Sequence, residues 1–181
     1  MGELPTFETE RLLLRPRTMD DFDACLAMDR DPLVTRYVAG PWSDRAAHEQ
    51  FVRARMASDY DSGLGYWSIF AKVDPATFLG WVLLIPVDAV GPEIEIGWRL
   101  VRSAWGKGYA SEAARPVVAH AFETLKLDII IADIHPDNTA SMRVAEKAGL
   151  VFRRDGTYGG VPCRCYSMTA ADHDAVKHLY R

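Results

Sequence analysis

The hydrophobic pattern of this chain changes period once, sharply, and that change limits the folds open to it. Glu93-Ile-Glu-Ile-Gly-Trp-Arg-Leu100 alternates: Glu93, Glu95, Gly97 and Arg99 form one set, Ile94, Ile96, Trp98 and Leu100 the other. Successive strand side chains point to opposite faces, so this is a strand with one polar and one apolar side. From Ala110 the apolar residues instead fall at 110, 113, 114, 117, 118, 121, 122 and 125, a helical stripe. Between them lies Ser103-Ala-Trp-Gly-Lys-Gly-Tyr-Ala110. A strand feeding an amphipathic helix through a glycine turn must bury the helix against a sheet, which requires a layered fold of helices and strands.

The remaining segments supply that sheet. Arg11-Leu-Leu-Leu-Arg-Pro16 reads as an opening strand. Thr18, three residues before Asp21, predicts a capping box and a helix to about Met28. A longer helix is expected from Ser43 to about Tyr60, followed by Tyr66 to Val73 and Phe78 to Val87 as a hairpin around an Asp74-Pro75 turn. Leu127 to Ile134 is almost continuously apolar, as in a strand covered on both faces. Asn138 to Ala148 reads as a helix, with Asn138 as its N-cap and Gly149 past its end. Gly149 to Met168 closes as two strands joined at Gly159-Gly160. This order gives an α/β (α+β) domain with one mixed sheet, not a repeated βαβ wheel. At 181 residues and 49% hydrophobic, one domain spanning 1–181 is expected.

Composition narrows the partners. A net charge of −4 offers no basic footprint, so nucleic acid is not expected, and an acidic chain suits a cationic amine. No apolar run approaches the roughly 18 residues of a membrane span, and no signal segment opens the sequence. A cytoplasmic chain without a membrane partner is the expectation, with a homodimer left open. Cys25, Cys163 and Cys165 read as reduced thiols, the last two on one strand face and too close to bridge comfortably. The five histidines lack metal-ligand spacing and Cys163-x-Cys165 lacks a second pair, so no metal is expected. His120 lies opposite the centre of the helical stripe and reads as a surface residue; His135 reads as a turn residue.

The glycine turn itself has two readings. Lys107 is followed by Gly108 and Tyr109, not Ser or Thr, so it is not a triphosphate-binding P-loop, and a third dinucleotide-type glycine is missing. Backbone N–H groups at a helix start do bind phosphate oxygens, and glycines permit close approach. The same pattern also fits a strand-to-helix turn that binds nothing.

Four segments in order, Glu8–Pro16, Glu95–Leu100, Trp105–Ala114 and His135–Leu150, resemble the GNAT family of acyl-CoA-dependent N-acetyltransferases. Within it they look like the Rim-type branch, the ribosomal-protein N-terminal acetyltransferases. The resemblance implies a GNAT-like domain, its mostly antiparallel sheet splayed at the cofactor strand pair and flanked by helices. Acceptor-site elements would lie mainly in 1–75 and acetyl-CoA-binding elements mainly in 92–150. The family's pyrophosphate loop would fall on Trp105, Gly106, Lys107, Gly108, Tyr109 and Ala110, with Trp105 in place of the usual Arg or Gln. The backbone at Leu100 and Val101 would pair with the pantetheine arm, and Asn138 and Ser141 would lie near the thioester. Pro116, inside the loop helix, departs from a regular helix and would loosen it beyond the phosphate loop.

Acetyl transfer to an amine needs a neutral amine, a stabilised oxyanion and a departing thiolate. An α-amino group titrates at about 7.7–8.0, so a weak base suffices. The resemblance puts an acidic residue for this task at Glu95, which shares its strand face with Gly97; Glu93 is the alternative base. From the alternation alone, Glu95 reads instead as a solvent-facing carboxylate balanced by Arg99, and it is the resemblance that reverses this. Backbone N–H groups near the loop would hold the oxyanion. A tyrosine acid seven residues after Asn138 is excluded, because that position is Ala145. Ser141 could meet the sulfur or simply support the helix cap. Acetyl transfer from acetyl-CoA to a primary amine, on a protein N-terminus or a small molecule, is therefore expected. A non-catalytic acyl-CoA-binding module and a transferase of longer acyl groups are the alternatives.

Overall fold

A computed structural model describes residues 4–180. Its strands are β1 (Phe7–Glu8), β2 (Leu12–Pro16), β3 (Gly65–Ala71), β4 (Asp74–Pro86), β5 (Ile94–Leu100), β6 (Ile129–Ile134), β7 (Val151–Tyr158) and β8 (Val161–Thr169). Its α-helices are α1 (Phe22–Asp29), α2 (Arg45–Ala57), α3 (Tyr109–Ala119), α4 (Thr139–Lys147) and α5 (Ala170–Val176). The strands form one sheet in the order β1-β2-β3-β4-β5-β6-β8-β7. All neighbours are antiparallel except β5 and β6, which run parallel and share one register pair, Glu95 with Ile131. Beyond that pair the two strands separate, so the sheet splits along the C-terminal half of β5.

Each face of the sheet carries its own core. On one side Leu12, Leu14, Trp67, Ile69, Val82 and Ile96 pack against Ala113, Val117 and Val118 of α3 and against Met142 and Ala145 of α4. On the other, Trp81, Leu83 and Ile85 of β4 meet Cys25, Leu26 and Met28 of α1 and Val52 of α2. Register assigns Glu95, Gly97 and Arg99 to this second face, opposite Ile85, Leu83 and Trp81. The alternation of β5 is therefore realised, but its polar side is partly roofed by helices.

Local signals account for most element ends. Thr18 and Asp21 form the expected capping box: the Asp21 carboxylate accepts from the Thr18 backbone N–H at 3.1 Å. The first turn is a 3₁₀ turn, Met19–Asp21, before α1 begins. Asp44 caps α2 by accepting from Ala47 N–H at 2.9 Å, so that helix is shorter at both ends than the polar–apolar pattern suggested. Asn138 caps α4, and Gly149 follows it with φ +87°. Among the described residues no helix is long and apolar enough to cross a membrane.

Three expectations are corrected. Asp74 and Pro75 are not the hairpin turn but the first residues of β4; Ala71 pairs with Asp74, so Lys72 and Val73 make the turn. Proline is tolerated at the first residues of a strand, where its missing N–H costs little. β6 is not covered on both faces: Ile130, Ala132 and Ile134 are buried, but Ile129 and Asp133 are exposed, because the α1–α2 layer packs on β4 and not on β6. His120 is not on the surface. It is buried, its Nε2 is 2.9 Å from the Gly63 carbonyl, and its ring packs on Phe7 and Trp67. After Pro116 the α3 helix passes into a π-helical turn, His120–Thr124, and the wider turn shifts the face that a 3.6-residue period assigns.

Candidate active site

The site assembles where the sheet splits. Glu95 lies at the last point of contact between β5 and β6 and is half-buried. Burial, followed by the charges of Asp88 and Asp133, lifts its carboxyl to about 7, against an opposing pull from Arg55. A carboxyl near 7 exchanges protons at neutral pH, the property a general base needs. Glu93 lies outside β5 and is exposed. Arg99 does not balance Glu95. Its Nη1 donates to Asp29 at 2.8 Å, and its guanidinium lies 5.1 Å from both the Trp42 and Trp81 rings. Asp29 also faces His48 at 3.4 Å, so Arg99 belongs to a buried polar cluster that ties β5 to α1 and α2.

The split leaves backbone groups of β5 without a β6 partner. Val101 N–H donates to Leu79, and its carbonyl accepts from Ala104 N–H. Hydrogen-bonding direction alternates along a strand, so the groups facing the split are those of Trp98 and Leu100. The Leu100 carbonyl already accepts from the Trp105 indole at 2.9 Å. Of the two residues read as pairing positions, Leu100 thus faces the opening and Val101 is engaged within the fold. Across the split the Trp98 indole donates to Ser141 Oγ at 3.3 Å, joining β5 to the first turn of α4. Asn138 Oδ1 accepts from Ser141 N–H at 3.2 Å, so Asn138 serves the helix cap. Ala145 is fully buried.

The loop after β5 meets the requirements of an anion cradle. Gly106 and Gly108 have φ of +72° and +80°, the left-handed region that favours glycine. A Cβ at Gly106 would meet nothing within 4 Å, so the loop stands open there. Gly108 occupies the N-cap of α3 and has no side chain to cap it, which leaves first-turn N–H groups directed outward. Trp105 and Lys107 are exposed. Sequence reading missed the cation at this loop: Arg11 Nη2 would be 3.5 Å from a Cβ on Gly108, and its guanidinium lies 4.7 Å from the Tyr109 ring centre. Arg11 is held there by Glu112 of α3 at 2.6 Å. Burial would raise the Glu112 carboxyl, but hydrogen bonds from Thr9 and Arg11 outweigh it and hold it low.

On the other side of Glu95 the Tyr158 hydroxyl donates to Asp88, linking the β7–β8 hairpin to the β4–β5 connection. Burial and Asp88 push the Tyr158 phenol beyond its ordinary range, so it remains a donor. His135 is half-buried, stacks on Tyr37 at 5.0 Å and accepts from Asp137 N–H, a turn role.

The family model "Acetyltransferase (GNAT) domain" matches residues 11–151, which contain the split, the loop and α4. The chain belongs to the GNAT acetyltransferases. Similar proteins include the N-acetyltransferase p20 of Bacillus licheniformis, 30% identical over 84% of this chain and 85% of its own. An FsC-acetyl coenzyme A-N(2)-transacetylase of Aspergillus fumigatus is 33% identical over 81% of this chain and 65% of its own. YdaF of Bacillus subtilis, whose name ties it to ribosomal N-acetylation, is 32% identical over 44% of this chain and 45% of its own. Among solved structures, an acetyltransferase from Agrobacterium tumefaciens has a TM-score of 0.77 and 30% identity, covering 93% of this chain and 96% of that one. This GNAT chain is thus an acyl-CoA-dependent acetyltransferase with the family's single mixed domain. Asp88, Asp133 and Tyr158 escaped sequence reading because no local motif marks them, and Arg11, although inside the opening segment, because nothing local sets it at the loop. Long-range pairing, ion pairs and packing bring them to Glu95 or to the loop.

Proposed function

We propose that this chain transfers the acetyl group of acetyl-CoA directly to a primary amine, with Glu95 as the base. The observation that carries the reading is the coincidence of a carboxyl titrating at about 7 with the open strand edge and the uncapped helix start. Acetyl-CoA, when bound, supplies an activated thioester. The N–H groups of 106–110 with Arg11 would hold its phosphates, and the outward edges of Trp98 and Leu100 would align its arm. Glu95 accepts the amine proton, and Asp88 and Asp133 favour the approach of a cationic acceptor. Ser141, whose Oγ accepts from the Trp98 indole and whose N–H donates to the Asn138 cap, would meet the sulfur of the cofactor. Acceptor-binding elements then comprise α1, α2 and the Asp88 and Tyr158 loops, and cofactor-binding elements run from β5 to α4.

An acceptor panel of peptide N-termini, polyamines, aminoglycosides and amino acids, followed by thiol release from acetyl-CoA, tests the reading. Acetylation of at least one amine class, lost in Glu95→Gln, is the expected result. Absence of transfer to every class by a protein that still binds acetyl-CoA would replace it with the non-catalytic module. Tighter binding of longer acyl-CoAs would instead favour a different donor.

A further inference from the structure

The β6–β8–β7 part of the sheet carries a cluster in which Asp133, whose charge also reaches Glu95, meets two thiols that acetyl transfer does not use. Asp133 on β6 pairs in register with Cys165 on β8, and Cys163 lies two residues along on the same face. The Asp133 carboxylate and the two sulfurs all lie within 4.8 Å of one another. The sulfurs are 3.7 Å apart, and neither is in a disulfide. Two thiolates on a tetrahedral ion, each at about 2.3 Å, stand about 3.8 Å apart, so the thiols already have the required spacing. Spacing alone would also suit two thiols in ordinary contact. The third ligand and the strand opposite distinguish the cases.

Gly156 of β7 pairs with Cys163. A Cβ there would lie 2.8 Å from Cys165 Sγ and 3.8 Å from Cys163 Sγ. A glycine in mid-strand admits close approach, and here Cys165 Sγ and the Arg154 guanidinium, whose Nη1 is 3.0 Å from that Cβ position, take the place of a side chain. Arg154, on the same face opposite Cys165, reaches the same space. Burial and the Asp133 carboxylate push both thiols up, Cys165 to about 12, so a bound cation must displace their protons, with Arg154 opposing the rise only at Cys163. Cys163 is buried, Cys165 half-buried and Asp133 exposed, which gives the cluster a dry floor and a wet rim.

We propose that Cys163, Cys165 and Asp133 form a binding site for a soft divalent cation of the zinc class, with the fourth position open to water. Two sulfurs and one carboxylate match that class rather than magnesium or calcium, which take oxygen ligands. Binding converts both thiols to thiolates and releases one proton from each to solvent. The spacing Cys-x-Cys gave no metal signal in the sequence because the third ligand comes from another strand.

Fully reduced protein titrated with zinc(II) against a chromophoric chelator, and with cobalt(II) followed by absorption, tests the site. One equivalent should bind per chain, with thiolate-to-cobalt charge transfer. Cys163→Ser and Cys165→Ser should each weaken binding by about 100-fold or more, and Asp133→Asn by about 10-fold with charge transfer retained. Gly156→Ala should weaken it by pushing Cys165 Sγ from its place, while Cys25→Ser should leave it unchanged. Should a cysteine variant fail to fold, wild-type protein decides: zinc must protect Cys163 and Cys165, and not Cys25, from alkylation beyond the difference seen without metal. Absence of stoichiometric binding, wild-type affinity in the cysteine variants, or no such protection overturns the proposal.

Discussion

Glu95 illustrates how position sets the chemistry of a residue. In water its carboxyl would be ionised well below neutrality, but on β5 it is half-buried and shares its surroundings with Asp88 and Asp133, and it titrates at about 7. Rate should therefore rise with pH through about 7 as the base loses its proton. Glu95→Gln should lower kcat/KM by roughly 10²–10⁴ and abolish that rise, measured with one acceptor so that the amine's own titration cancels. A raised carboxyl also carries a stability consequence. Between about 4.5 and about 7 the folded state binds more protons than the unfolded one, so this group's contribution falls as pH rises across that window. Glu95→Gln should accordingly raise stability at pH 8 by about 1–3 kcal/mol in denaturant titrations, and the gain should vanish below about pH 4.5.

At the scale of elements, the loop and the two helix starts bordering the split divide the labour. The α3 start has a glycine N-cap and leaves its N–H groups available; the α4 start has an asparagine cap that uses its own. Gly106→Ala places a methyl group in open space at a positive φ. It should cost about 1 kcal/mol of stability yet raise the KM for acetyl-CoA several-fold, with kcat less affected. Asn138→Ala should cost about 1 kcal/mol, read by urea unfolding, and should disturb Ser141 only through the loss of its N–H partner. Pro116 breaks one bond of the α3 ladder, and the π turn that follows turns His120 inward, where Gly63 satisfies its ring nitrogen.

Over the whole molecule, the sheet is asymmetric: α1 and α2 pack on β4, and Arg99 of β5 is tied to α1, whereas on the same face Asp133 of β6 is exposed and Cys165 of β8 half-buried. The Asp29, Arg99 and His48 cluster fixes the roof to the strand that carries Glu95. Both partners of the Asp29–Arg99 pair are largely buried, with side chains 5% and 11% exposed, so removing one leaves an unpaired charge. Asp29→Ala should destabilise the fold by about 3–5 kcal/mol in urea titrations. A variant that unfolds like wild type would show that the roof is held by its apolar contacts alone.

The periodicity switch at 100 to 110 determined, without structure, that a strand feeds a helix through an open glycine loop. Capping residues Thr18 and Asn138 and the Gly159-Gly160 turn were equally legible, because caps and turns are short-range physics. The ordered motifs identified the family, and the alternation of β5 put Glu95, Gly97 and Arg99 on one face. Only the tertiary structure decided what those residues meet. It gave Arg99 to Asp29 rather than Glu95, brought Asp88, Asp133 and Arg55 within electrostatic reach of Glu95, set Arg11 beside the loop, and buried His120. These are consequences of long-range strand pairing and helix packing, in which a residue's partner lies tens of positions away and no local pattern encodes it.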